Sequence, residues 1–381
     1  MPLQVTNVQQ REHVFVPALP GLEPAVHTEA EALGFSSRPV DGGVELTGAP
    51  GLHQEANLRL RTASRVWLRL GRFAAADANA LAKGLAGLPL GAVWDGRTAP
   101  RLSVVLHRAR FKGPDAVLAA AARAWGLPSV ERAGPLDEES SEGLTLLVRV
   151  EGDTCTVSVD TSGEPMHRRG YRQEVSRAPL RETLAAGILV LAGYDGVEPL
   201  VDPMCGSGTF LIEGAWMSQR RAPGLQRTFA FERFPGFDAA DWGARKARAE
   251  AEALASPRSA LRGYDINAGS LGTARRNARR AGVTLTLERQ DVRTLAAPAG
   301  LGPGLVVVNP PYGKRVGEAE DLPGLYRAMG ATFRRAFAGW RAAVLLPEDP
   351  GLLRALGLPE GRNLPVRNGG LRCRLLVCTL P

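Results

Sequence analysis

The spacing of apolar residues changes character near the middle of the chain. In the first half short elements alternate: Val14 to Val16 reads as a strand, Leu22 to Leu33 as a helix and Gly43 to Thr47 as a strand. From Asn57 to Leu70, Leu58, Leu60, Val66, Leu68 and Leu70 alternate with Arg59, Arg61, Arg65 and Arg69, a near period of two that predicts an extended segment. Leu102 to Leu106 is a further strand, and Leu144 to Val150 pairs with Thr154 to Val159 across a Gly152-Asp153 turn. This half is therefore α+β. Between Asp160 and Pro179 the periodicity disappears, which marks a boundary. Beyond it helices (Leu180 to Leu191, Thr209 to Gln219, Ala268 to Ala281, Leu322 to Phe337) alternate with strands (Pro199 to Asp202, Ala260 to Asp265, Val283 to Glu288, Leu305 to Asn309, Ala342 to Leu346). That alternation predicts an α/β fold, a doubly wound parallel sheet, with a closing hairpin at Leu364 to Val366 and Leu371 to Thr379.

Composition changes this picture only at its edges. A chain of 381 residues that is 44% hydrophobic can bury more than one core. Its longest apolar stretch, around Leu184 to Ala192, is far short of the ~20 residues that cross a bilayer, and Met1 to Val16 offers no apolar leader, so no membrane partner and a cytoplasmic location are expected. Cys155, Cys205, Cys373 and Cys378 contain no C-x-x-C pair and read as reduced thiols. His53, His107 and His167 lack ligand spacing, so no metal is expected. The net charge of +8 suits a polyanionic partner, although solubility alone would explain it.

Ligands of open α/β sheets sit beyond the carboxyl ends of the strands, and three such ends carry chemistry. The first, Asp202-Pro203-Met204-Cys205-Gly206-Ser207-Gly208-Thr209, runs a strand into a glycine turn where backbone can approach a ligand; taken alone it is equally a tight turn. At the second, Asp265 could accept both hydroxyls of a ribose, or cap the next helix. Because Asp265 lies far more than ~20 residues beyond the glycines, a dinucleotide unit is disfavoured. The third, Asn309-Pro310-Pro311-Tyr312, places a side-chain carbonyl beside an aromatic ring, fit to accept from an amino group and to stack on a base. Cys205 adjoins the glycines rather than a base-facing loop, and reads as a packed residue rather than a nucleophile.

In order and strand context these residues resemble the class I S-adenosylmethionine-dependent methyltransferases. The resemblance implies S-adenosyl-L-methionine as cofactor, held by Asp202, Pro203, Cys205, Gly206, Ser207, Gly208, Thr209, Asp265, Ile266, Asp291 and Asn309, with Ile266 on the adenine ring and Asp291 at its amino group. It implies Asn309, Pro310, Pro311 and Tyr312 as the catalytic motif. Asp160-Thr-Ser-Gly-Glu, Arg169-Gly170-Tyr171-Arg172, Pro179-Leu180-Arg181-Glu182, Ala222-Pro223-Gly224-Leu225 with Phe231-Glu232, and Asn368-Gly369 extend the likeness over essentially the whole chain to the THUMP-containing RNA guanine-N2 methyltransferases. The Ala222 to Trp242 insertion is more like the bacterial 23S ribosomal RNA enzymes than the tRNA ones. On that resemblance residues 1–55 form a ferredoxin-like segment, 56–163 a THUMP module gripping structured RNA, 164–178 a linker and 179–381 the methyltransferase domain.

Arg168, Arg169, Tyr171 and Arg172, close to the entry of the last domain, are the candidate RNA contacts, with Lys314 and Arg315 on flanking phosphates. The run Arg275, Arg276, Arg279 and Arg280 reads as a solvated helix face. The implied reaction is direct methyl transfer to the exocyclic N2 of a guanosine, most simply in 23S rRNA. A tRNA guanine, adenine N6 in DNA, the glutamine amide of a protein, or a non-catalytic RNA-binding assembly factor remain alternatives.

Overall fold

Burial with a period of two organises the N-terminal sheet, in which Val14 and Val16 turn inward on one face while His13 before them is exposed and Phe15 between them is only partly buried. The computed structural model of the chain describes residues 4–5, 11–134, 143–173, 180–313 and 321–381. Its strands are β1 (Gln4–Val5), β2 (Glu12–Pro17), β3 (Ser36–Val40), β4 (Gly43–Gly48), β5 (Trp67–Ala74), β6 (Arg101–His107), β7 (Thr145–Glu151) and β8 (Thr154–Asp160). They form one sheet in the order β3-β4-β2-β5-β8-β7-β6, with β1 added to β5. Among the described strands of this sheet, β6 and β7 are the parallel pair, and helix α4 (Pro114–Trp125) lies between them in sequence. Helices α1 (Glu23–Ala32), α2 (Leu52–Arg59) and α3 (Ala78–Ala86) complete the first half.

The expected extended segment over Asn57 to Leu70 is corrected. Asn57 to Arg59 end α2, and strand β5 begins only at Trp67. Arg65 is buried rather than solvated: its guanidinium reaches Asp160 Oδ2 at 2.5 Å and the carbonyl of Gly163. A buried arginine mimics a polar, outward-facing position in the sequence pattern, which is why the alternation misled.

Chain contacts divide the molecule into two units that interleave: 1–18, 30–166 and 227–247 in one, 19–29, 167–226 and 248–381 in the other. In the first unit the returning stretch contributes Phe229, Phe231 and Trp242, whose rings meet at centroid distances of 5.0 to 5.9 Å, and His53 meets Phe231 edge-on. Here aromatic packing decides which unit the stretch joins.

The second unit contains α5 (Glu182–Leu191), β9 (Leu200–Asp202), α6 (Thr209–Ser218), the later turns of α7 (Ala239–Ala251), β10 (Leu261–Asp265), α8 (Ala268–Ala281), β11 (Thr286–Arg289) and β12 (Leu305–Val308). It ends with α9 (Leu322–Ala336), β13 (Arg341–Pro347), α10 (Pro350–Leu356), β14 (Arg362–Asn368) and β15 (Leu371–Thr379). Its sheet order is β11-β10-β9-β12-β13-β15-β14. The first five strands are parallel, and the closing hairpin adds two antiparallel strands at one edge. Both faces are covered. Leu305 and Val307 join a core with Leu184, Ile188, Phe210 and Ala274, whereas Val306 and Val308 join another with Tyr326, Met329 and Phe333. A strand buried on both sides has to be apolar without alternation, which is what Leu305 to Val308 is.

Candidate functional site

Parallel pairing sets the site. Asp202 lies opposite Gly263, Val201 opposite Val306, and Asp265 opposite Arg289, so the carboxyl ends of β11, β10, β9 and β12 share one edge of the sheet. Asp291, Asp265, Asp202 and Asn309 are therefore brought to four neighbouring strand ends. The order β10-β9-β12 makes this edge the point where connections leave in opposite directions, the natural crevice of such a sheet.

The loop after β9 closes tightly. Gly206 and Gly208 have φ of +52° and +84°, conformations that side chains resist, and Gly208 precedes α6 with no side chain capping the helix. The first N–H groups of α6 thus stay available for an anionic or polar group. Asp265 fixes the loop: its Oδ2 accepts from Gly206 N at 2.9 Å, and Oδ1 accepts from Asn267 N at 2.8 Å. Asn267, not Asp265, caps α8, through bonds from Gly269 N and Ser270 N. Each Asp265 oxygen keeps further acceptor capacity, the requirement for two hydroxyls of a ribose. Next to it Ile266 is 56% exposed, an uncommon position for an isoleucine and one suited to a flat apolar ring.

Asp202 is buried and takes a bond from Met204 N at 3.1 Å. Burial pushes its carboxyl well above the ordinary carboxylate range, against that bond, and the charge of Asp265 adds to the rise. Pro203 stands between the two. Ser207 Oγ lies 3.5 Å from Thr209 Oγ1. Cys205 is buried, and burial raises its thiol far above the usual value, so it remains a protonated, packed side chain. Asp291 caps a short turn by accepting from Arg293 N at 2.9 Å and pairs with the Arg293 guanidinium at 3.0 Å.

At the end of β12 the loop 309–312 is cross-tied. The hydroxyl of Tyr312 donates to Asn309 Oδ1 at 2.5 Å, and Tyr326 donates to the carbonyl of Pro311 at 3.4 Å. Pro310 is buried, and Tyr312 is partly buried against the core on the α5–α6 side. Burial raises the Tyr312 phenol above its ordinary value, which keeps it a neutral donor.

Three of the proposed RNA contacts have to be reassigned. Arg169 and Tyr171 are each 1% exposed. Tyr171 donates to Glu213 Oε1 at 3.1 Å, and Arg169 Nε lies 3.5 Å from the same oxygen. Arg172 is held by the Leu180 carbonyl at 2.9 Å, by Thr209 Oγ1 at 2.6 Å and by Glu182. Arg169 and Tyr171 brace α6 from inside and are too buried to meet a nucleic acid, and the partly buried Arg172 is committed to α5 and α6; burial lifts Glu182 to about 7 against the pull of Arg172. Arg168 is exposed. Lys314 and Arg315 lie outside the described residues. Replacing Arg169 by alanine leaves buried Glu213 with the Tyr171 hydroxyl but without its opposite charge, so a loss of about 3–5 kcal/mol in stability is expected, read as an early denaturant midpoint. An unchanged midpoint with weakened RNA binding would restore the contact role.

Sequence reasoning missed Asn277. It is fully buried on α8 and donates to the Ser207 carbonyl at 3.2 Å, so that the glycine loop is tied from behind. Its signal is a polar residue in the otherwise apolar stripe of Ala274, Ala278 and Ala281. Among the described residues no group of three or more His, Cys, Asp or Glu could hold a metal ion, and no helix is long and apolar enough to cross a membrane.

Comparison with known proteins adds to this geometry. A family model described as the RMKL-like methyltransferase domain matches residues 169–376, and one for the RlmL ferredoxin-like domain matches 13–67. The chain is 34% identical over 376 residues to the ribosomal RNA large subunit methyltransferase K/L of Psychromonas ingrahamii, and 37% over 387 to that of Methylococcus capsulatus. In both, 95% of this chain is covered, yet it spans only 49% and 50% of the relatives. Among solved structures, SMU.472, a protein described as a methyltransferase and solved in complex with SAH, superposes with a TM-score of 0.82 at 26% identity, over 98% of this chain and 99% of that one. A Listeria monocytogenes protein described as an N6-adenine-specific DNA methylase gives 0.84 at 27% identity, over 98% and 97%.

Proposed function

Since the chain belongs to the RMKL-like methyltransferase domain family, we propose that it transfers a methyl group from S-adenosyl-L-methionine to the exocyclic N2 of a guanosine in 23S rRNA. The observation that carries this reading is the row of strand ends, with the glycine loop and Asp265 on one side of Asn309 and the Pro310-Pro311-Tyr312 loop on the other. The bound cofactor supplies a methyl on a positively charged sulfur. Gly206, Gly208 and the start of α6 give it room and backbone donors, Asp265 takes its ribose hydroxyls, Ile266 faces its adenine and Asp291 the adenine amino group.

The target amino group needs an acceptor for its hydrogens, so that its lone pair turns toward the methyl. Asn309 Oδ1 and the carbonyl of Pro310 fill that role, and Tyr312 offers a ring to the base. Guanine N7 carries no hydrogen and has no use for the acceptors, and N1 carries only one, which favours an exocyclic amine with its two. To reach them the base has to leave its stack. The net charge of +8 and exposed Arg168 support an RNA partner. Mass mapping of ribosomal RNA from a strain lacking the gene tests the reading: one N2-methylguanosine in 23S rRNA should vanish and return with the gene. Loss of a methyl at a ring nitrogen, or in tRNA, would overturn the assignment.

A further inference from the structure

The acceptor oxygen on which the proposed reaction turns is held from the far side by two further side chains. Tyr312 donates its only hydroxyl proton to Asn309 Oδ1 at 2.5 Å, and the same phenol oxygen accepts from Asn368 Nδ2 at 3.3 Å. Asn368 ends β14 at the Gly369-Gly370 turn, opposite Leu371 of β15, so its backbone is fixed by the sheet edge. The relay therefore runs Asn368 to Tyr312 to Asn309, from a hairpin tip to the end of β12.

Such a relay has a direction. A phenol has one proton; its oxygen accepts from Asn368, and although the buried Cys373 thiol also lies beside it, a thiol is a weak acceptor and the 2.5 Å contact directs the proton to Asn309. An amide facing a donor turns its oxygen toward it, and the second lone pair of Oδ1, in the amide plane beside the first, stays available to an N–H of the substrate. Reversal of the first bond would reverse the rest: the phenol would donate to residue 368, accept from Asn309 Nδ2, and turn the amide over. Asn309 would then present an N–H to a substrate that also brings an N–H.

We propose that Asn368 is a positioning residue that sets the polarity of the Asn309 amide through Tyr312, and so makes the site one for amino groups; this rests on the role of Asn309 given above. Asn368→Asp changes one atom and reverses the bond, because a carboxylate only accepts. It should lower kcat more than Asn368→Ala does, with the alanine variant down about tenfold, the span of one hydrogen bond, and KM for RNA and affinity for SAH unchanged in both. In a Tyr312→Phe background the relay is already cut, so neither substitution at 368 should lower kcat further.

Single-turnover methylation of unmodified ribosomal RNA, together with SAH calorimetry on each variant, reads all of this. An aspartate variant as active as wild type or more active than the alanine one, or losses that repeat in the Tyr312→Phe background, would overturn the relay and leave Asn368 a hairpin residue. Failure of the underlying reading is distinguishable, since it shows as full activity in Asn309→Ala.

Discussion

Asn309→Ala is expected to leave SAH and RNA affinity nearly intact while lowering the rate of methyl transfer by a factor on the order of 100 or more. Asn309 follows β12, a strand buried on both faces, and its side chain accepts from Tyr312 rather than from the core. Removing the amide therefore disturbs little of the fold. What is lost is an acceptor for hydrogens that become more acidic as the amine attacks, an interaction that grows toward the transition state and so appears in kcat. Single-turnover kinetics with unmodified ribosomal RNA measures it. Full activity would reduce the 309–312 loop to a structural turn.

Asp265→Ala should act on the other partner. Its carboxylate is committed twice within the protein, to Gly206 N and Asn267 N, and both bonds point its remaining lone pairs the same way each time the site forms. Loss of this charged acceptor removes roughly 1.5–3 kcal/mol of binding, about a 10- to 150-fold weaker Kd for SAH by calorimetry. The loop loosens as well, since Gly206 loses its tie, so the upper end of that range is expected. Asn267 keeps the cap of α8, and the thermal midpoint should hardly move. An unchanged Kd would make Asp265 a loop fastener and nothing more.

The strand ends were legible in the sequence because a doubly covered parallel strand leaves a clear signature: four apolar residues in a row, then a polar one, as in Leu305 to Asn309. Glycines with positive φ and an acid after a strand are equally plain. The brace behind the site was not. Arg169, Tyr171 and Arg172 read as a basic, aromatic surface segment, and nothing in their order reveals that Glu213, more than 40 residues on, meets Arg169 and Tyr171 in the interior while Glu182 meets Arg172. Helices α3 and α4 escaped notice because alanine buries well but carries a weak hydrophobic signal; their real marks are the cap of Asp77, with bonds from Asn79 N and Ala80 N, and the stop at Gly126. Asn368 was visible as part of a turn and of the family resemblance, but not as a partner of Tyr312, since that bond spans 56 positions.

The interleaving of the two units bears on synthesis. Leu22 and Ala25 leave the ribosome early, but the core they enter is built by α5 and α6, and Gly187 lacks a side chain where Leu22 Cδ1 would stand 2.6 Å from a Cβ. Leu22 and Gly187 are 165 residues apart, which at about 5–20 residues per second is a wait of about 10–30 s with an apolar segment unsatisfied. A fragment cut anywhere between them would lack part of that core, so neither half is a free-standing gene product, and a nascent chain stalled before α5 should bind chaperones that recognise exposed leucine and valine.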